Sequence, residues 1–260
     1  MTALSSLLRD ELVLYLLECT RITGIVLGAP LIWVRAPARI RVVLVLLLAL
    51  SAHGISGSDR APPGLFEAAW AFVTELGVGL AMGLTVRFAI AAAEVCGDVV
   101  SPLLGLGVAH VFDATAQSSS GLLTQVLRHL AILLAVVAGI HRVLIGGVLA
   151  SFRVLPPGTA ASSGQAFPTI LQMSAGVFQV GVRVAIPLLA ILFMTQVSLA
   201  FVARAAPQLQ IFSIGFAVTL TVGLSVMIMV IPDIGQGVIA ELTHVEARCE
   251  AILMELGASP

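Results

Sequence analysis

Two apolar runs meet at Arg204, Pro207 and Gln208, residues 184–203 before the turn and 209–232 after it. No charged residue stands between Arg204 and Asp233, which is enough helix to cross a hydrocarbon core of roughly 30 Å. A hairpin of that kind fixes the solvent: the chain cannot live in water alone. The rest of the sequence agrees. Hydrophobic residues make up 59% and charged residues 10% of 260, and mean hydropathy is +1.09. That leaves too few charges for the polar shell a soluble domain of this length requires. The apolar runs are continuous and do not alternate, so a polytopic unit of Gly- and Pro-broken helices is expected, and not a β-barrel.

The chain is expected to be one domain over residues 1–260. Its first apolar segment covers residues 12–34 and ends in an arginine-rich turn at residues 35–41. Residues 42–52 follow, too short to span alone, and then a polar Gly/Ser/Pro loop at 53–64. Residues 65–95 form a long apolar stretch in which Gly79 and Gly83 make a small-xxx-small pair that lets another helix come close. A Gly-rich stretch at 96–120, an apolar stretch at 122–152, a Pro/Gly/Ser loop at 153–165 and residues 167–182 lead into the opening hairpin. From 233 to 260 the pattern changes. Leu242, Val245, Cys249, Ile252 and Leu256 recur every three or four residues among charged positions, which predicts an amphipathic, water-facing tail helix.

Charges inside apolar segments are the candidate functional positions. Each would cost roughly 2.5–3.5 kcal/mol at a lipid-facing helix centre. Glu18, Arg21, Glu75, Arg87, Arg128, His141 and Arg183 are therefore expected to face protein or water, as interface charges or as a transport site. Glu18 and Arg21, at i and i+3, share a helix face and can pair; Glu94 and Asp98 read as a wet helix end. The Arg35–Arg41 cluster favours a cytoplasmic turn, whereas Arg183 and Arg204 flank opposite ends of one helix and cancel. A net charge of −1 gives no footprint for nucleic acid. All thirteen basic residues are Arg, as a GC-rich coding sequence would produce. Cys19, Cys96 and Cys249 are far apart and odd in number, so they read as apolar packers, with neither metal nor cofactor expected. No HExxH, GxSxG or P-loop is present, and the histidines at 129 and 141 are too far apart for a ligand pair, so no catalytic residue is expected.

One stretch carries a resemblance. Leu-Ala-Phe-Val-Ala-Arg-Ala-Ala-Pro-Gln-Leu-Gln-Ile-Phe over residues 199–212 resembles the signature turn of the FliR/SctT family, the export-gate subunit of flagellar and virulence type III secretion. Further matches run in family order: Glu75-x-x-x-Gly79 at a helix start, a central loop over residues 105–117 with Phe112-Asp113, then Gly139-Ile140-His141-Arg142, Ser151-Phe152 and Pro156-Pro157-Gly158. Three positions depart from the family pattern: Ala114 stands where Pro is usual, Gln210 where Asn is frequent, and Thr219 near a usual Lys.

The resemblance implies a non-enzymatic all-α subunit of bent helical hairpins in a hetero-oligomeric conical channel. FliP/SctR-type, FliQ/SctS-type and FlhB/SctU-type subunits would be its neighbours, and unfolded export substrates its cargo. Its place would be the bacterial inner membrane, within a secretion or flagellar basal body. The family's central loop plugs the closed pore, which here maps onto Gly105, Leu106, Gly107, His110, Phe112, Asp113 and Gln117. Two rival readings stand beside it: a small secondary transporter using Arg128, His141 or Arg183 as an intramembrane site, and a membrane scaffold or insertase with no channel.

Overall fold

A computed structural model describes residues 2–29, 36–54, 64–105, 121–159, 166–206 and 211–257 of the chain. Among them the secondary structure is entirely helical: α1 (Thr2–Gly28), α2 (Ala38–His53), α3 (Leu65–Val100), α4 (Leu122–Val137), α5 (Ile140–Val154), α6 (Ala166–Ala205), α7 (Ile211–Thr243) and α8 (Val245–Gly257). The all-α polytopic expectation is met. Three helical stretches, Leu65–Val100, Pro168–Ala205 and Ile214–Leu256, are long and apolar enough to cross a membrane. Helix α2, at 16 residues, rises only about 24 Å and falls short of a hydrocarbon core, as its sequence indicates.

The helix bounds differ from the sequence pattern in three places, each for a local reason. The apolar stretch at 122–152 is two helices, because Gly139 adopts φ +81°, a left-handed conformation that ends the preceding helix. Helix α3 runs on to Val100, since a single Gly97 costs only about 1 kcal/mol in a helix, and α6 is continuous over 40 residues with Pro187 inside it, a residue that can kink a helix without ending it. The tail is divided at His244: the apolar helix α7 reaches Thr243 and only α8 is the short amphipathic element.

The described residues form two compact units, and α3, α6 and α7 each contribute to both. The first comprises Met1–Phe88, Gly139–Ser174 and Leu242–Pro260. Leu17, Ile22, Met82, Val86, Leu144 and Phe152 fill its interior. The tail's apolar stripe is buried as its periodicity predicts, with Leu242, Val245, Cys249 and Ile252 all inaccessible. Ala81, Met173 and Ile252 form a cluster that Phe88, Ile170 and Leu256 extend.

The second unit comprises Ala89–Ala138 and Ala175–Glu241, with Ile90, Val100, Leu104, Leu127, Leu188 and Leu192 at its centre. Gly181 lets α6 lie against the Ala92 carbonyl and Val95 of α3, where an added Cβ would come within 2.7 Å of both. The most apolar window of α3 is 61% buried inside the chain, but those of α6 and α7–α8 only 17% and 28%. Residues such as Ile186, Phe193, Phe201, Ile228 and Met229 stand exposed. An apolar surface of this size belongs against lipid or another polypeptide.

Candidate functional site

Close approach of two helices builds a fully buried polar group in the first unit. Gly24 and Gly28 on α1 face Gly79 and Gly83 on α3, each pair four residues apart and so on one helix face. A Cβ on Gly28 would sit 2.9 Å from the Gly83 Cα, and one on Gly24 would sit 2.6 Å from the Leu76 carbonyl oxygen. A Cβ on Gly79 would collide with the Arg21 carbonyl oxygen. The small-xxx-small pair predicted on α3 therefore does what that spacing allows, and a matching pair on α1 receives it. With the backbones in contact, the side chains one turn before each pair are forced together. These are Arg21 and Glu75.

Both are fully inaccessible to solvent. Arg21 donates from Nε to Glu75 Oε2 at 2.5 Å and from Nη2 to Oε1 at 3.0 Å, a bidentate pair. Its Nη1 donates to the carbonyl oxygens of Ser151 (3.1 Å) and Leu155 (2.8 Å) at the C-terminal end of α5. The guanidinium lies over the Phe152 ring, 4.5 Å from its centroid. Glu75 Oε1 also accepts the backbone N–H of Gly158, at 2.9 Å. Burying two charges costs several kcal/mol per ion, and the cost is offset only when hydrogen bonds satisfy the whole group; here three elements supply them. The pair thus joins α1, α3 and the Pro156-Pro157-Gly158 loop. It has no exposed face and holds no free proton acceptor towards a substrate. Its chemistry is that of a fixed joint.

Comparison with known proteins decides what kind of chain carries this joint. The family model of bacterial export proteins, family 1, matches residues 12–245. The chain belongs to that family. It is 30% identical to flagellar biosynthetic protein FliR of Escherichia coli over 220 residues, 84% of each chain. It is 28% identical to the protein of the same name from Pectobacterium carotovorum, over 92% of each chain. The resemblance read at residues 199–212 is confirmed, and the chain is a membrane-embedded component of a bacterial export apparatus, of the flagellar and type III kind.

Within this export protein the other sequence-predicted positions are distributed as follows. Arg21 takes Glu75, 54 residues away, as its bidentate partner, which corrects the expected Glu18–Arg21 pairing; Glu18 instead meets His53 Nδ1 of α2 at 3.2 Å. The other ring nitrogen of His53 faces Glu11 at 3.1 Å, and the Tyr15 hydroxyl donates to the Leu46 carbonyl at 3.0 Å, so α1 and α2 are held as a polar-clasped hairpin.

Arg128 donates to Glu94 at 2.6 Å and 3.2 Å, and Asp98 accepts the Thr124 hydroxyl at 2.6 Å. The expected wet helix end is a partnered one. Arg87, Arg183 and Arg204 are exposed and His141 half-buried. Gly105 is described, with φ +74°; Leu106, Gly107, His110, Phe112, Asp113, Gln117, Pro207 and Gln208 lie outside the described residues. The three cysteines are free thiols, two of them buried.

A cavity of about 170 Å³ in the first unit is lined by Met82, Leu144, Gly147, Cys249, Leu253 and others, and includes none of Arg128, His141 or Arg183. Sequence reasoning missed His53, the Arg128–Glu94 contact and the α5 carbonyls that cap Arg21. The α1 glycines were the signal that could have paired Arg21 with Glu75: Gly24 and Gly28 repeat the spacing of Gly79 and Gly83.

Proposed function

We propose that this chain is a structural subunit of the flagellar protein export gate in the bacterial inner membrane. In this reading it packs beside FliP-type and FliQ-type subunits, with a FlhB-type subunit adjoining, around a channel for unfolded export substrates. Residues 1–260 act as one export-gate unit. Residues 105–120 serve as the plug of the closed channel, and the Arg204-Pro207-Gln208 turn as the bend of a hairpin shared with sister subunits.

The observation that carries the reading is the exposed apolar surface of α6 and α7 in a chain whose family is an export family. Helix α6, at 40 residues, rises about 60 Å, twice a hydrocarbon core. Lipid alone cannot cover its whole length. Its half-buried Thr195 and exposed Ser198 donate to the carbonyls of Ile191 (2.9 Å) and Met194 (2.8 Å), and Thr221 and Ser225 of α7 donate likewise to Ala217 and Thr221 (both 2.8 Å). Hydroxyls turned onto their own helix present methyl and methylene surface outwards, which suits a dry neighbour.

The test is deletion of residues 106–120 in cells that carry the whole apparatus. A plug role predicts ion leakage through an assembled complex that still contains all its subunits. Unchanged permeability with assembly intact refutes the plug, and recovery of the chain as a stable monomer in detergent refutes the gate subunit.

A further inference from the structure

The last two turns of α3 and the first two of α4 lie side by side in a strict antiparallel register. Glu94 faces Arg128, Asp98 faces Thr124 and Ser101 faces Gly121. Each step of three or four residues along α3 is matched by an equal step back along α4. The first rung is the ion pair at 2.6 Å, the second the hydroxyl–carboxylate bond at 2.6 Å. At the third, a Cβ added to Gly121 would sit 3.1 Å from Ser101 Oγ. Between the rungs Gly97 lets the helices touch: a Cβ there would lie 2.7 Å from the Thr124 Cα.

The chain leaving this ladder is pinned as well. Ser101 Oγ donates to the Gly97 carbonyl at 2.7 Å, and the Leu103 carbonyl accepts Gln196 Nε2 of α6 at 3.3 Å. Leu104 is fully buried against Gly223 of α7. Only then comes Gly105, at φ +74°, where a Cβ would meet the Phe216 ring at 3.0 Å. On the return side α4 begins directly after Gly121, whose carbonyl accepts the Gln125 N–H at 3.0 Å.

We infer that residues 94–104 and 121–128 form a neck that stays closed during export, with Glu94, Asp98, Thr124 and Arg128 as the residues that position the segment between them. This inference takes its significance from the plug reading of that segment. Passage of substrate then leaves the α3–α4 contact intact. The half-exposed Arg128, 39% accessible against 25% for Glu94, keeps the ladder electrostatically closed, since two carboxylates on α3 would otherwise face α4 with one hydroxyl between them.

The neck can be locked. The Gly121 Cβ would fall 3.4 Å from the Ser101 Cβ, beside the roughly 3.5–4.5 Å range of disulfides, and φ −57° at Gly121 suits any residue. Cells with the complete apparatus and the pair Ser101→Cys/Gly121→Cys are oxidised with copper phenanthroline; maleimide labelling reads the thiols and secretion of an export substrate reads function. The expected result is loss of labelling at positions 101 and 121, told apart by peptide mapping from the native Cys19, Cys96 and Cys249, with secretion at the wild-type rate. Secretion that stops on oxidation and returns with reductant overturns the closed neck, and labelling that persists at positions 101 and 121 overturns the register.

In the same chain Arg128→Glu is expected to lower secretion, with oxidation of the cysteine pair restoring it. Failure of that rescue overturns the positioning role. Deletion of residues 106–120 fails or succeeds independently of these outcomes, so the plug reading and the neck are separable.

Discussion

Glu75→Ala is the perturbation whose size follows most directly from the structure. It removes both carboxylate oxygens from a guanidinium that no water reaches, leaving Nε and one Nη2 proton without their acceptor, and it frees the Gly158 N–H. Breaking a buried ion pair by removing one partner costs about 3–5 kcal/mol, on the order of a hundredfold to several thousandfold in the folding equilibrium. Arg128→Ala removes the same chemistry at a site where both partners are partly solvated, and such a pair is worth only about 0.2–1 kcal/mol.

The double variant Arg21→Met/Glu75→Leu removes the charge altogether. It leaves the Leu155 carbonyl as the buried group without its donor, because Gly158 is exposed and its N–H can turn to water; one such orphan costs about 1–3 kcal/mol. The double variant should therefore be more stable than Glu75→Ala. With the chain purified in detergent together with its partners, thermal unfolding reads the difference. At roughly 2–4 °C per kcal/mol for a domain of about 150–250 residues, Glu75→Ala should lower Tm by about 6–20 °C, and Arg128→Ala by a few degrees at most. Equal shifts for Glu75→Ala and Arg128→Ala, or a double variant below the single one, would refute the account of the buried joint.

Two glycine comparisons test the helix geometry. Gly79→Ala places a Cβ against the Arg21 carbonyl and should destabilise by about 1–3 kcal/mol through overpacking, with lower chain levels in the membrane; Gly77→Ala, which meets nothing within 4 Å, should not lower those levels. Gly139→Ala meets open space too but must hold φ +81°, so it should cost about 1–2 kcal/mol. Gly146→Ala inside α5, also in open space, should instead raise Tm through a gain of about 0.5–1 kcal/mol. Both are read by thermal unfolding of the purified complex, and equal signs for the two would contradict the backbone assignment at Gly139.

The sequence alone determined the solvent, the helical class and the family. Those properties are carried by composition and by short-range order: a charge-free run between Arg204 and Asp233, the recurrence of Leu242, Val245, Cys249 and Ile252, and the Arg-x-x-Pro-Gln turn. Helix face follows from spacing along one chain, so no partner element has to be known. Tertiary structure alone decided what each buried charge is for. Local spacing offered Arg21 the carboxylate of Glu18, three residues away, but the glycine faces of α1 and α3 bring the backbones into contact and set Glu75 opposite it. Electrostatic partners inside an apolar medium are chosen by which helices can touch. That choice depends on residues far apart in sequence, here Gly24, Gly28, Gly79 and Gly83, and it becomes visible only when the helices are packed.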